Sequence, residues 1–451
     1  MKHNMSYIKN VALLISLLLI GSQPIFAQNT RNLSLSEAVD LSLKTSKQIR
    51  LSQVKIHEAT ATLNEAKGNR LPDLSISGSY LRLAQPTIDL KVKLGSSSST
   101  SSDQKSSAIS VDQATYGMVN ASMPLFAGNR INYGIQSARY LEMATKLDAD
   151  KNREEVIQNT IAAYSNLYKA KEALELVKES LKESKQRVND FSNMEKNGIM
   201  ARNDLLKAEL QESNVELTLL DAENNWKITN INMDMMLGLP EEMMLIPDTN
   251  SFSHTTDAGS IADWEQKALL NRKDAASLVL REKAAKVNIK ATKSDYYPSV
   301  ALSGGYLAAD VPNLITITNA LNVGIGLKYS PSLLWKGGPK LAQARARLEE
   351  IQISEESLND NIRIQINQAY QNYILSQKKI DVYNVAVDQA KENYKIIKNK
   401  YDNSLATTTD LLDADVAQLQ AKLNYAFAKA DAVVAYNNLL QTAGLLNIKI
   451  N

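Results

Sequence analysis

The sequence predicts a mixed, mainly α-helical fold in which long antiparallel coiled-coil helices alternate with four short amphipathic strands. Three observations predict this fold class. Long stretches without proline carry apolar or small residues in a seven-residue repeat. Alternating apolar and polar residues follow Pro72 and Pro298. The whole layout occurs twice along the chain, which indicates an internal duplication.

The first residues have the features of a secretory signal peptide. Lys2 and Lys9 precede an apolar run at residues 11–20, and small residues lead up to Ala27. The run is far shorter than the roughly 20 residues that a membrane-spanning helix needs. We therefore expect residues 1–27 to be removed and the mature chain to be exported.

The composition argues against several classes of function. The chain has 51 Lys and Arg against 49 Asp and Glu, so it does not attract nucleic acid electrostatically. It has no cysteine, which excludes disulfides and thiolate chemistry. No Ser-His-Asp, metal-ligand or phosphate-loop pattern is present, so we expect no enzyme, no cofactor and no metal site. The methionines at residues 233–244 indicate packing rather than a soft-metal site.

The helices give the stronger periodic signal. No proline occurs between Pro124 and Pro240, or after Pro339. Apolar or small residues follow alternating steps of four and three from Ile362 onward, and the next helix repeats the pattern with Val416 on its seam. Such a strict heptad repeat makes helices supercoil around partners. We therefore expect two pairs of antiparallel helices.

The strands follow the helix-ending prolines. After Pro72, Leu74, Ile76 and Tyr80 alternate with serines, and the second copy repeats this pattern. The predicted strands are residues 73–81, 116–126, 299–307 and 320–330. Each has roughly the 9–11 residues with which a tilted strand crosses a bilayer.

The duplication predicts the domain boundaries. The phrase "NGIMARNDLLKA" begins at Asn197, and "NSLATTTDLLDA" begins 206 positions later at Asn403. We expect a first repeat at residues 28–247, a linker at 248–258 and a second repeat at 259–451. Each repeat reads helix, strand, loop, strand, very long helix, tight turn and long helix.

Four strands do not close a barrel, and open sheet edges are not tolerated in lipid. A dimer with eight strands, a trimer with twelve or a larger ring would close one. Twelve strands leave room for a pore, which makes a cyclic trimer the economical solution if the strands span a membrane. A helix over residues 131–196 would be on the order of 100 Å long. The seam of the second copy's long helices holds small residues such as Ala369 and Ala426, so such helices need neighbours from further chains.

The order and spacing of "PLFAGNR", "SLLWKGGPK" and the two "DLL" phrases resemble the TolC family of outer-membrane channels. The resemblance covers nearly all of the mature chain. It implies a homotrimer with a 12-strand transmembrane β-barrel in the outer membrane and an α-barrel in the periplasm. It also implies a passive channel for efflux or type I secretion, served by a periplasmic adaptor and an inner-membrane pump. A periplasmic coiled-coil structural or adaptor protein is the alternative.

The resemblance assigns Asp410 and Asp413 to a periplasmic gate. Their i, i+3 spacing puts them on one helix face, and a trimer would stack them as two carboxylate rings. Such rings favour cations, and mutual repulsion would raise their pKa values together. For Asp410 the alternative is a helix-capping role, because a capping box begins at Thr407.

The same resemblance places Tyr401 and Asp204 in a polar network that closes the gate. Here Ala406 replaces the arginine that would pair with Asp204. We expect Arg202, near the same tip, to substitute for it.

The two hairpin tips are expected to dock the adaptor. They comprise Asn197, Gly198, Ile199 and Met200 in the first copy, and Asn403, Ser404, Leu405 and Ala406 in the second. Gly198 gives the first turn its left-handed freedom. Ser404 stands at the matching place, so the second tip is expected to turn without that help.

Overall fold

The computed structural model describes residues 30–84, 111–241, 243–248, 259–312 and 314–446. The expected signal peptide and most of the expected linker lie outside these ranges.

Helices make up most of the described chain. In chain order they are α1 (Leu35–Thr45), α2 (Lys47–Gly68), α3 (Arg130–Lys196), α4 (Arg202–Leu237), α5 (Ile261–Asn271), α6 (Lys273–Ser294), α7 (Leu333–Lys336), α8 (Gly338–Asp402) and α9 (Thr408–Thr442). The strands are β1 (Thr30–Leu33), β2 (Asp73–Arg82), β3 (Gln113–Phe126), β4 (Met244–Pro247), β5 (Ser299–Val311) and β6 (Ile315–Lys328). The order of two helices, two strands and two long helices occurs twice, and α3 and α8 have 67 and 65 residues.

The helical segment before each strand pair differs from the sequence prediction. One helix is predicted there, whereas the structure has two, which meet at Ser46 in the first copy and at Arg272 in the second. Both residues leave the helical region, with ψ angles of 123° and 127°. The Ser46 hydroxyl then accepts a hydrogen bond from the Ile49 N–H, which helps to start α2.

The chain divides into two compact units, and each takes residues from both repeats. The helical unit comprises Met1–Leu51, Lys151–Arg272 and Asn361–Asn451. The sheet unit comprises Ser52–Asp150 and Lys273–Asp360.

The core of the helical unit lies where α3, α4 and α9 pack together. Tyr164 and Leu167 of α3, Trp226 and Met233 of α4, and Ala430 of α9 are all buried in one cluster. Leu167 belongs to the heptad seam that the sequence predicts for this helix, whereas Tyr164 lies outside it. The parallel pair β1 and β4 belongs to the same unit.

The sheet unit contains one antiparallel sheet in the order β2-β3-β5-β6. Apolar residues at the predicted alternating positions form rows across all four strands, one of which is Ile76, Val119, Tyr306 and Leu321. The next row on the opposite face is Ser75, Asn120, Gly305 and Asn322. The sheet therefore has one apolar and one polar face, and Ile76 and Leu321 are 79% and 77% exposed in the single chain.

The last two strands extend toward each other further than the sequence predicts. The predicted ends at 307 and 320 become Val311 and Ile315, because the ladder continues past a register shift between Leu307 and Ala309. The Thr316 hydroxyl donates to the Asp310 carboxylate at 2.6 Å near the turn.

No helix within the described ranges has both the length and the apolar character needed to cross a lipid bilayer.

Candidate functional site at the hairpin tips

The first hairpin tip joins α3 to α4 through a left-handed residue. Gly198 has a φ of 72°. The Ile199 N–H donates to the Met194 carbonyl at 2.9 Å, and the Gly198 N–H donates to the Glu195 carbonyl at 2.9 Å. This pair of hydrogen bonds defines a Schellman motif, which satisfies carbonyls at the end of α3.

The second tip, between α8 and α9, repeats this geometry without a glycine. Ser404 has a φ of 59°. The Leu405 N–H donates to the Lys400 carbonyl at 2.7 Å, and the Ser404 N–H donates to the Tyr401 carbonyl at 2.9 Å. The left-handed region is costly for a residue with a Cβ, so the second tip carries backbone strain that Gly198 avoids.

The other tip residues take two kinds of position. Asn197 and Asn403 each donate a side-chain hydrogen bond of 2.7 Å to the carbonyl four residues earlier. Ile199 and Leu405 are 76% and 77% exposed, although they are large and apolar. Met200 and Ala406 are half-buried. Each tip therefore presents one apolar side chain on a turn fixed by hydrogen bonds.

An apolar cluster behind the tips holds the two hairpins together. Phe191, Leu205, Ala208 and Leu411 are buried there, and Tyr401 packs against them. The rings of Phe191 and Tyr401 are stacked with centroids 5.6 Å apart. This contact joins α3 of the first hairpin to α8 of the second.

Asp410 is an exposed capping residue in the single chain. Its carboxylate accepts hydrogen bonds from the Thr407 N–H at 2.9 Å and the Thr407 hydroxyl at 2.7 Å. The Asp410 N–H donates back to the Thr407 hydroxyl at 3.2 Å, which completes the capping box. Hydrogen bonds from the backbone and side chain of Thr407 lower the pKa of Asp410. The raised pKa that the sequence analysis expects for a gate residue would require repulsion from the carboxylates of further copies.

Asp413 lies one turn further along the same face of α9 and is also exposed. It forms no ion pair with any residue that the structure describes. Because capping does not involve Asp413, its carboxylate is available to interact with another copy of the chain.

The cation beside Asp204 is Lys207 rather than Arg202. The Lys207 ammonium lies 3.5 Å from the Asp204 carboxylate and 3.2 Å from the Thr409 hydroxyl. The Arg202 guanidinium instead lies 3.9 Å from the Glu195 carboxylate. Sequence reasoning missed Lys207, although its i, i+3 spacing from Asp204 was a usable signal.

Tyr401 lies close to this pair. Burial raises the pKa of the Tyr401 hydroxyl, a hydrogen bond with Thr408 opposes the rise, and the charges of Asp204 and Asp402 add to it. Side chains of α4, α8 and α9 therefore meet in one polar group at the base of the tips.

Further from the tips, the structure contains a buried ion pair that the sequence did not predict. The Arg187 guanidinium of α3 donates to the Asp415 carboxylate of α9 at 2.9 Å. The periodicity puts Val416 on the α9 seam, but Val416 is exposed and Asp415 is buried instead. The seam prediction ranks residues by apolar character, so it does not find a buried charge that has a partner on another helix.

Among the described residues, no group of three or more His, Asp or Glu side chains is arranged to hold a metal ion.

Comparison with known proteins identifies several relatives. The family model for outer membrane efflux proteins matches residues 38–239 and 264–445. Toxin and drug export protein A of Aggregatibacter actinomycetemcomitans is 24% identical over 93% of this chain and 88% of that protein. Alkaline protease secretion protein AprF of Pseudomonas aeruginosa is 22% identical over 65% of this chain and 62% of that protein.

Solved structures share the fold. The CmeC outer membrane channel of Campylobacter jejuni superimposes with a TM-score of 0.75 at 17% identity, covering 91% of this chain and 86% of that chain. This likeness confirms the predicted fold class of long helices with antiparallel strands.

Proposed function

Since this chain belongs to the outer membrane efflux protein family, we propose that three copies of it assemble into one closed channel. The family consists of passive outer-membrane channels, not enzymes, and the chain is an outer-membrane protein with its helical part in the periplasm. In the proposed trimer, twelve strands form the barrel in the membrane.

The observation that carries the proposal is the unfinished sheet. The four-stranded sheet ends at β2 and β6, and its apolar face is exposed. Lipid offers no hydrogen-bond partner to an open strand edge. Pairing β2 of one copy with β6 of the next removes every edge, and three copies give twelve strands around a lumen lined by the polar face.

Exposed apolar stripes on two helices support the same assembly. On α4 they include Leu206, Leu210, Leu217, Leu220, Ile231 and Met235, and on α8 they include Ile364, Leu375, Val382, Val385 and Ile396. The charged residues of α4 are mainly acidic, whereas those of α8 between 378 and 400 are mainly basic. We infer that α4 of one copy packs against α8 of the next.

We place the two repeats at residues 28–247 and 259–451, joined by a linker at 248–258 and preceded by a signal peptide at 1–27. The two separate matches to the family model support this division. Each repeat contributes one hairpin tip, so a trimer presents six.

The exposed Ile199 and Leu405 suit these tips to docking a periplasmic adaptor, to which an inner-membrane pump delivers the cargo. The relatives named for toxin and drug export and for protease secretion support an export role. The channel therefore serves a tripartite efflux or type I secretion system.

Asp410 and Asp413 from three copies form the proposed gate. Both carboxylates are exposed on one face of α9, so a ring of three copies would concentrate negative charge at the entrance. Lys207, in place of the expected Arg202, supplies the counter-charge of Asp204 in the network that includes Tyr401.

Single-channel recording in planar bilayers tests this function. The wild-type protein is expected to give small, cation-selective conductance steps that divalent cations block. The Asp410→Asn/Asp413→Asn variant is expected to lose the block and much of the selectivity. Asp431→Asn, an exposed carboxylate further along α9, is the matched control and should behave as wild type.

Two results would contradict the proposal. Pores that ignore the double substitution would place the gate elsewhere. A chain that forms no pore and stays soluble without detergent would support the alternative, a periplasmic coiled-coil protein.

A further inference from the structure

Alanine is the commonest buried residue of α9. Its buried alanines are Ala414, Ala421, Ala426, Ala428, Ala430 and Ala432. Such small side chains allow close approach of helices, but they interlock weakly and leave the rotation and axial position of a helix poorly specified. Leu411 anchors the start of α9 in the tip cluster, and a directional contact further along would fix more firmly the direction in which α9 presents Asp410 and Asp413.

The buried ion pair provides such a constraint. The Arg187 and Asp415 residues are only 9% and 6% exposed. The second guanidinium nitrogen of Arg187 donates to the Tyr394 hydroxyl of α8 at 3.4 Å. One side chain of α3 thereby contacts both helices of the second hairpin, and these directional bonds are made in one relative position of the three helices.

The position of Asp415 links this contact to the gate. Asp415 follows Asp413 by two residues, which on a helix turns it to a different face. Asp413 and Asp410 are exposed while Asp415 is buried, so holding Asp415 fixes the rotation of α9 and with it the direction of both gate carboxylates.

Among the described residues, the other ion pair between α3 and the second hairpin is more exposed. Lys169 pairs with Asp431, which is 54% exposed. Exposed pairs contribute little, whereas removing one partner of a buried pair leaves an uncompensated charge. Burial alone would lower the pKa of Arg187, but the hydrogen bond and charge of Asp415 outweigh it and raise that pKa.

We propose that Arg187 is a positioning residue of the gate, which holds Asp415 so that α9 keeps its rotation and the channel entrance stays closed. The inference rests on the proposed channel function. At the tip, Ala406 stands where the resemblance assigns an arginine. In this chain, the ion pair that keeps the entrance closed would therefore be the buried pair of Arg187 and Asp415, between the packed helices.

The test combines conductance with thermal stability in the full-length purified protein. Arg187→Met and Asp415→Asn are expected to raise the open probability on the order of tenfold. Tyr394→Phe, which removes only the hydroxyl, should change it in the same direction by less. The charge swap Arg187→Asp/Asp415→Arg should bring the open probability back toward that of wild type.

Asp431→Asn is the matched control, since Asp431 also pairs across α3 and α9 but is exposed. Its open probability should equal that of wild type. If Arg187→Met lowers the melting temperature and leaves conductance unchanged, the pair is merely structural and the inference is overturned. Wild-type pores that respond to the gate variants in that same experiment keep the channel function intact, whereas the lack of any wild-type pore overturns that function itself.

Discussion

At the scale of single residues, Asp234 is an ionisable group buried without a partner for its side chain in the described chain. It is fully buried near the end of α4, and neither carboxylate oxygen has a hydrogen-bond partner among the described residues. Burial, followed by the charge of Glu241, raises the pKa of Asp234 to about 6. A buried carboxylate without partners favours its neutral form.

This pKa predicts how stability depends on pH. Because the folded-state pKa lies above the unfolded value, the folded chain binds this proton more tightly. The resulting stabilisation is complete below about pH 4 and is lost as the pH rises through about 6. Asp234→Asn should therefore be more stable than wild type by about 3 kcal/mol at pH 8 and similar to it at pH 4.

Thermal unfolding of the two proteins across this pH range measures the effect. Asp221→Asn, an exposed carboxylate on the same helix, is the control and should follow wild type throughout. An Asp234→Asn variant that is less stable at every pH would mean that the carboxylate has a partner in the assembled protein.

At the scale of elements, the two tips are the same turn built with different residues. Ser404 holds a φ of 59° where Gly198 holds 72°. Relieving a left-handed Cβ gains roughly 1–2 kcal/mol, and the added freedom of glycine in the unfolded chain costs about 0.4–1 kcal/mol. Ser404→Gly should therefore stabilise the protein by about 0.5–1 kcal/mol.

The melting temperature of the Ser404→Gly variant checks this expectation. Gly198→Ala supplies the reciprocal change, and it should lower the melting temperature because alanine is strained at that φ. A Ser404→Gly variant that melts below wild type would show that the serine side chain makes a stabilising contact in the assembly.

The elements also show how far the sequence predicts the structure. Helix-ending prolines and strict alternation predicted the four strands and their apolar faces, on which Ile76 and Tyr306 lie, because both signals are local. The break at Ser46 was missed, since no proline or glycine marks it. Arg187 and Asp415 were missed because their partnership depends on the packing of helices distant in sequence.

The candidate site was predictable to a similar degree. The resemblance predicted that Tyr401 and Asp204 lie in one polar network, and in the structure the two side chains lie close enough for the charge of Asp204 to affect the Tyr401 hydroxyl. The choice between Arg202 and Lys207 depends on side-chain direction at the start of α4, which the spacing of residues alone leaves open.

At the scale of the whole molecule, one chain supplies two hairpin tips and two strand pairs. It also has apolar stripes on its surface that no other part of the described chain covers. The edges of β2 and β6 and the apolar stripes of α4 and α8 are all left uncovered within the described chain. Each of these features is satisfied by the same operation, a rotation that brings identical copies together in a closed ring.

Native mass spectrometry of the detergent-solubilised protein measures the number of copies in that ring. We predict three copies. We also predict that Leu217→Asp, which places a charge in the apolar stripe of α4, releases single chains, whereas Leu270→Asp, an exposed apolar site on α5, does not. A wild-type protein that remains a single chain or a dimer, while still conducting ions, would contradict the trimeric channel.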